Sequence, residues 1–149
     1  MSASRLIYAG AEDWLHPHWH VAFYPDGLPD DWLLSYYNTR FQAVYLPAAR
    51  WQAASAADWM QWLEDTQPGF RFLLEPGTLS PPCDARIIVA TPEWCNTHLW
   101  WLDASPDLRE LAQQASAHAA SGEPLFVISR SGDLEKMEQV MILGAVLGY

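Results

Sequence analysis

Apolar residues along this chain fall into short β-type runs that alternate with longer helical stripes. The runs are dominated by β-branched, aromatic and leucine side chains, which predicts strands. The predicted strands cover residues 6–10, 41–46, 70–74, 86–90 and 125–128. Residues 86–90 lack polar alternation, which is typical of a strand that is covered on both faces.

Each helical stripe follows a capping residue, a proline or both, which are helix-start signals. The signals are Pro29, Ser55 with Asp58, Thr91-Pro92-Glu93, Ser105-Pro106-Asp107 and Ser131-Gly132-Asp133. For residues 92–102 we favour helix, although 98–102 fits a short strand equally well. Strand and helix alternate five times, so we predict an α/β fold of repeated βα units in a single domain, 1–149. Its mostly parallel sheet has about five strands, arranged as a truncated TIM-barrel-like fold or an open three-layer αβα fold.

Charge and composition indicate which kinds of partner and which cellular compartment are favoured. The chain has 18 acidic and 8 basic residues, a net charge of -10, which disfavours nucleic acid and membrane surfaces. The N-terminus turns acidic before a signal-type apolar core forms, and Cys83 and Cys95 lack metal or redox spacing, so we expect a cytoplasmic protein. The apolar stretch 140–149 predicts a buried helix or the interface of a homodimer.

The most specific stretch is a histidine and aromatic cluster that follows the first predicted strand. His16, His18 and His20 alternate along it, a pattern that can bind a transition metal. Further candidate ligands are Asp13, Glu75, Glu93 and His98. Pro17 disturbs regular geometry in the run, and a histidine that lines a pocket or packs in the core is the alternative interpretation.

Three other patterns could serve a site. Residues 129–133 offer backbone N–H groups and the charge of Arg130 to an anion, although the same residues also make an ordinary helix cap. Carboxylates that follow strands could act as acid and base, but their spacing does not show that any two converge. The Trp count of 9 indicates much buried aromatic surface, part of which we expect to line a pocket. The predicted ligand-binding residues are Trp14, His18, Trp19, Tyr24, Arg50, Trp51, Glu75, Trp94 and Arg130.

The first half of the chain also resembles a known family. The matching residues are Ile7-Tyr8-Ala9-Gly10, Trp14, Pro17-His18-Trp19, Phe23-Tyr24-Pro25-Asp26-Gly27-Leu28, Trp32, Tyr36-Tyr37, Phe41 and Pro68-Gly69-Phe70-Arg71-Phe72. They resemble the YecE-like family, domain of unknown function 72, whose members look like TIM barrels. A complete barrel takes about 250 residues, so the resemblance implies a shortened, divergent member.

The resemblance also bears on function. Family members typically place an acidic residue and an asparagine after the second strand, whereas residues 47–51 here read Pro-Ala-Ala-Arg-Trp. We therefore expect a non-catalytic protein that binds a small molecule or a protein, with no cofactor. The alternative is a metal-dependent hydrolase that uses the three histidines. A third possibility is a regulatory protein with an exposed aromatic patch.

Overall fold

The computed structural model describes residues 5–104 and 107–149 and shows a parallel, curled half-barrel sheet with helices around it. The six strands of the described chain are β1 Ile7–Glu12, β2 Ala43–Leu46, β3 Arg71–Leu74, β4 Ile87–Val89, β5 Leu99–Trp101 and β6 Leu125–Ser129. The helices are α1 Trp19–Ala22, α2 Leu33–Arg40, α3 Ala48–Gln52, α4 Ala56–Asp65, α5 Pro92–His98, α6 Leu108–Ser121 and α7 Leu134–Leu147, and a 3₁₀ turn at Asp30–Trp32 precedes α2.

The strand order is β4-β3-β2-β1-β6-β5 with every pairing parallel. In a closed βα barrel each strand pairs with the next one along the chain, and the last pairs with the first. All of those pairings are present here except that between β4 and β5. The predicted α/β, TIM-barrel-like architecture is confirmed, with six strands rather than five and with the sheet open between β4 and β5.

The extra strand comes from residues 92–102, which form both of the predicted alternatives. Thr91 caps α5 by accepting the N–H of Trp94, Pro92 occupies the first turn, and β5 follows directly after His98. Ser105 and Pro106 lie outside the described residues, and Asp107, the third residue of that predicted helix-start signal, caps α6.

The expectation of a doubly covered strand at residues 86–90 is wrong. β4 keeps only three of those residues, lies at the edge of the sheet and leaves Val89 exposed. The β-branched composition of residues 86–90 indicates a preference for strand conformation, whereas the burial of β4 depends on its place in the strand order.

Alternate side chains of each strand point to opposite faces of the sheet. Ala9, Val44 and Phe72 belong to the main core, which packs under the outer helices. Tyr8, Tyr45 and Phe126 belong to a second cluster on the concave face, and Trp94 and Cys95 of α5 pack against that cluster. Helix α5 therefore fills the concave side of the half-barrel, where a closed barrel would hold its own strand side chains.

A bilayer-crossing helix is absent from the described part of the chain. Helix α7 packs on β1, β6 and α6 through its buried side chains Met137 and Val140. Ile142 and Val146 of the same helix are exposed.

Candidate functional site

The carboxyl ends of β1, β2, β5 and β6 meet at the mouth of the half-barrel, which we define by Glu12, Tyr45, Trp101 and Arg130. The Arg130 guanidinium lies 3.7 Å from the Trp101 ring centroid, and its Nη1 donates to Glu12 Oε1 at 2.6 Å. The Tyr45 ring meets Trp101 edge-on at 5.0 Å. The charged groups of the mouth are thus paired with each other.

Burial dominates the electrostatics of Tyr45. Desolvation, followed by the nearby Glu75 carboxylate, raises the pKa of Tyr45 to about 12. Its hydroxyl is therefore neutral across the physiological range and cannot act as a base there. Burial also raises the pKa of the Cys95 thiol, which lies against Ala90 O of the same inner surface.

The loop after β6, predicted as a possible anion site, already holds an anion that belongs to the chain. The Asp103 carboxylate accepts the backbone N–H groups of Arg130 and Ser131 and the Ser131 hydroxyl, at 2.5, 3.2 and 2.6 Å. Asp133 caps α7, which confirms the alternative interpretation of residues 129–133 as a helix cap. An external anion would have to displace Asp103.

The histidines fasten the first loop to the rest of the protein. His16 Nε2 lies 2.6 Å from the Glu12 carbonyl oxygen, and His18 Nε2 lies 3.0 Å from that of Gly132, which also accepts the indole N–H of Trp19. His20 lies instead beside Tyr24, with its ring centroid 5.8 Å away. Among the described residues no three His, Cys, Asp or Glu side chains are arranged to hold a metal ion, so the structure does not support the proposed three-histidine site.

A second constellation lies beside the mouth, where Asp13 ends the extended run of β1. Asp13 adopts a φ of 64°, a left-handed conformation that aspartate tolerates better than most residues. This turn lets one carboxylate oxygen accept the Trp14 N–H at 2.7 Å while the other accepts Arg50 Nε at 2.9 Å. The turn therefore aims Arg50 towards Trp14.

The Arg50 guanidinium occupies the corner between two tryptophan rings. Its central carbon lies 4.9 Å from the Trp14 centroid and 5.0 Å from the Trp62 centroid, and the two rings meet at 89°. Tyr24 fixes the backbone here, because its hydroxyl donates to the Trp14 carbonyl oxygen at 2.6 Å. Burial, with a smaller contribution from Asp13, raises the pKa of Tyr24, which keeps that donor protonated.

This aromatic corner forms one wall of a surface concavity of about 430 Å³ between the first loop, α2 and α4. We call this concavity the lateral groove. Its lining residues are Trp14, Leu15, His20, Asp30, Asp31, Leu33, Leu34, Arg50, Asp58, Gln61, Trp62 and Asp65. It combines aromatic and aliphatic surface with four carboxylates, so it suits a ligand with apolar parts and a positive charge.

The structure distributes the predicted ligand-binding residues over several places. Trp14 and Arg50 meet in the lateral groove, and His18 lies on the Gly132 carbonyl. Three predicted residues are core side chains: Trp19, Tyr24 and Trp51. The remaining three, Glu75, Trp94 and Arg130, lie at or under the mouth: Glu75 accepts the Ala48 N–H, Trp94 packs on Phe126, and Arg130 pairs with Glu12.

The groove residues that the sequence analysis missed are mainly on α4. Asp58, Gln61, Trp62 and Asp65 follow one another at the i, i+3, i+4, i+7 spacing that puts side chains on one helix face. That spacing is a usable signal, although the apolar residues Trp59, Trp62 and Leu63 also share one face of this helix and draw attention to its packing instead.

Comparison with known proteins finds a family match for the first half of the chain. The family model described as "Protein of unknown function DUF72" matches residues 8–76. Residues 8–76, a little under half of the chain, are thus similar to the DUF72 family. This confirms the resemblance to YecE-like proteins, and none of the curated proteins or solved structures matches the chain.

The DUF72 segment contains the whole lateral groove, whose lining residues all lie between Trp14 and Asp65. It also contains the Asp13 turn that aims Arg50 at Trp14. Trp101 and Arg130 of the mouth lie outside the segment. The groove is therefore a feature of the DUF72 part of the fold, while the mouth is built jointly with the second half of the chain.

Proposed function

We propose that this protein is a non-catalytic binding protein whose ligand occupies the lateral groove. The observation that carries the proposal is the contrast between the two concave sites of the fold. The mouth is occupied by α5 and by internally paired charges, whereas the lateral groove is an open concavity of about 430 Å³. That volume falls within the roughly 300–1,000 Å³ of small-molecule sites.

The state of the ionisable groups supports binding rather than acid–base chemistry. A general acid or base needs a pKa near the working pH and must reach its substrate. The raised pKa values of Tyr24 and Tyr37 belong to hydroxyls that donate to backbone carbonyl oxygens, those of Trp14 and Ala43. These shifts are explained by the packing of the core.

The negative charge of the lateral groove favours a positively charged ligand. Four carboxylates line it, and the one arginine in the lining is balanced by Asp13. The Trp14–Trp62 corner adds aromatic faces, which attract cations with about 0.5–2 kcal/mol each. We therefore propose a ligand with a guanidinium or ammonium group. We also propose that the protein binds this ligand in the cytoplasm, where the free thiols of Cys83 and Cys95 stay reduced.

Calorimetry with N-acetyl-L-arginine amide tests the proposal, with N-acetyl-L-glutamate amide as the matched anion. We expect the arginine compound alone to bind. The Asp31→Asn variant should weaken binding about 2- to 5-fold, because it removes an exposed carboxylate of the groove. The control is Glu64→Gln, which removes an exposed carboxylate of α4 outside the groove and should leave affinity unchanged.

Absence of binding by the arginine compound at millimolar concentration would contradict the proposal. Equal losses in Asp31→Asn and Glu64→Gln would also contradict it, because they would reduce the effect to the overall charge of the protein.

A further inference from the structure

The lateral groove continues into a second concavity along α4. This neighbouring hollow, of about 520 Å³, shares Asp31, Gln61 and Asp65 with the lateral groove and adds Trp32 and Ser35. The two hollows therefore adjoin each other between the 3₁₀ turn with α2 on one side and α4 on the other, and we call them together the channel. Either hollow alone has the volume of a small-molecule site, so the channel is larger than a single amine requires.

Each hollow of this channel is lined by a large apolar side chain that is exposed. Leu15 lines the lateral groove and is 48% exposed, and Trp32 lines the second hollow and is 63% exposed. Tryptophan is enriched at the centres of protein interfaces, where it is buried by a partner. An exposed indole beside a channel is thus typical of a docking surface.

The charges along the channel restrict what can dock there. Asp30, Asp31, Asp58 and Asp65 line it, and the Arg50 guanidinium in the same lining is held by Asp13. A second copy of this chain would bring another net charge of -10 to the same surface, which disfavours self-association there. A positively charged partner is favoured by the same field.

The aromatic corner shows which cation fits. The Arg50 guanidinium is already accommodated between Trp14 and Trp62, with Asp13 as its counter-ion. The lateral groove also holds Trp62 together with the carboxylates of Asp58 and Asp65, which share its face of α4. The second hollow holds Trp32 together with Asp31.

We propose that the channel docks an extended peptide segment of another protein that carries two arginine or lysine side chains. One of these side chains would lie beside Trp62 and the other beside Trp32, while the backbone between them crosses Asp31 and Gln61. This inference rests on the proposed function, because it takes the lateral groove as the binding site and adds the length and class of the ligand.

The test compares an acetylated, amidated peptide of two arginines separated by two serines with N-acetyl-L-arginine amide. Binding is measured by calorimetry at low and at moderate salt. We expect the peptide to bind at least about 10-fold more tightly, and the difference to shrink as salt screens the exposed carboxylates. The Trp32→Ala variant should weaken peptide binding about 3- to 30-fold and leave the single-arginine compound unaffected. Met60→Ala is the matched control, because Met60 is exposed on α4 but lines neither hollow.

The outcomes separate the two proposals. If the peptide binds no more tightly than the single-arginine compound, or if Trp32→Ala has no effect on the peptide, the peptide inference is overturned while the groove stays a cation site. If neither ligand binds, both proposals are overturned.

Discussion

At the scale of single residues, Gly10 shows how tightly the first two strands are fitted together. A Cβ at this position would lie 1.8 Å from the Ala43 carbonyl oxygen and 2.9 Å from the Tyr37 hydroxyl. That hydroxyl accepts the Ala11 N–H and donates to Ala43, so it bridges β1 and β2. The glycine in the predicted first strand is therefore a requirement of the strand pairing, which a sequence alone does not reveal.

We expect Gly10→Ala to lower the free energy of unfolding by about 3 kcal/mol or more, because the added methyl group overlaps a backbone oxygen. Gly69→Ala is the control, since a Cβ there meets nothing within 4 Å. It should change stability by less than about 1 kcal/mol. Urea unfolding measures both, and a similar small change in the two variants would show that the β1–β2 contact is looser than described.

Asp103 predicts a dependence of stability on pH. Burial alone would raise the pKa of its carboxyl group, but hydrogen bonds from Ser131 and Arg130 outweigh burial and hold that pKa below its usual range. Because the pKa is lower in the folded state, the stabilisation is complete above the unfolded pKa of about 4. It is lost as the pH falls from there through the folded pKa.

Asp103→Asn should therefore reduce stability by about 1 kcal/mol at pH 7, a value discounted for partial exposure of the carboxylate. The difference from the parent protein should be smaller at an acid pH well below about 4, where the carboxyl group becomes increasingly protonated in the folded state. Asp26→Asn, in an exposed turn, serves as the control for general charge effects. An equal difference at both pH values would rule out the carboxylate as its source.

At the scale of elements, helix α5 determines how much space remains on the concave side beneath the mouth. It carries Trp94 and Cys95 into the concave side of the half-barrel, where Trp94 lies 5.3 Å from the Phe126 ring. Thr91 starts this helix as the sequence indicates. The helix turns inward at the gap between β4 and β5. Local periodicity does not predict this gap, because the gap depends on strand order.

The two thiols report the position of α5. Cys95 is partly buried with a raised pKa, whereas Cys83 is exposed in the loop before β4. With Ellman's reagent under native conditions, we expect Cys83→Ser, which keeps only Cys95, to react at least about 10-fold more slowly than Cys95→Ser. Equal rates would mean that α5 does not shield the inner surface.

The helix caps were the most predictable elements. Ser55 with Asp58, Thr91 and Asp133 all cap helices at the positions that the sequence indicates. Caps depend on contacts three residues away, so sequence contains them. The role of Trp62 depends on Arg50, which approaches it from another element and is aimed by the φ of Asp13, so periodicity along α4 does not reveal that role.

At the scale of the whole molecule, the fold keeps the neighbour pairings of a βα barrel on both sides of β1 and interrupts them once. The DUF72 segment supplies β1 to β3 together with the lateral groove, and the second half of the chain supplies the other strands. Alternating βα signals were sufficient to predict this architecture. The sixth strand is β5, whose three residues are too short for a reliable sequence signal, and the site of the opening depends on strand order, which local periodicity does not contain.

The homodimer predicted through residues 140–149 stays a prediction. Ile142 and Val146 are 62% and 77% exposed on α7, which offers an apolar contact, but the net charge of -10 on each copy opposes it. Light scattering after gel filtration should give twice 16.9 kDa at moderate salt, and Val146→Glu should shift it to 16.9 kDa. A single species of 16.9 kDa at every protein concentration would exclude the homodimer.

The central claim, that ligand binding takes place in the lateral groove and not at the mouth, is tested most directly by NMR of the nine tryptophan indole N–H groups. During titration with N-acetyl-L-arginine amide, we expect the signals of Trp14 and Trp62 to shift. The signals of Trp19, Trp51 and Trp101 should stay unchanged, and the first two of these donate to backbone carbonyl oxygens. Shifts centred on Trp101, or none at all, would contradict this claim.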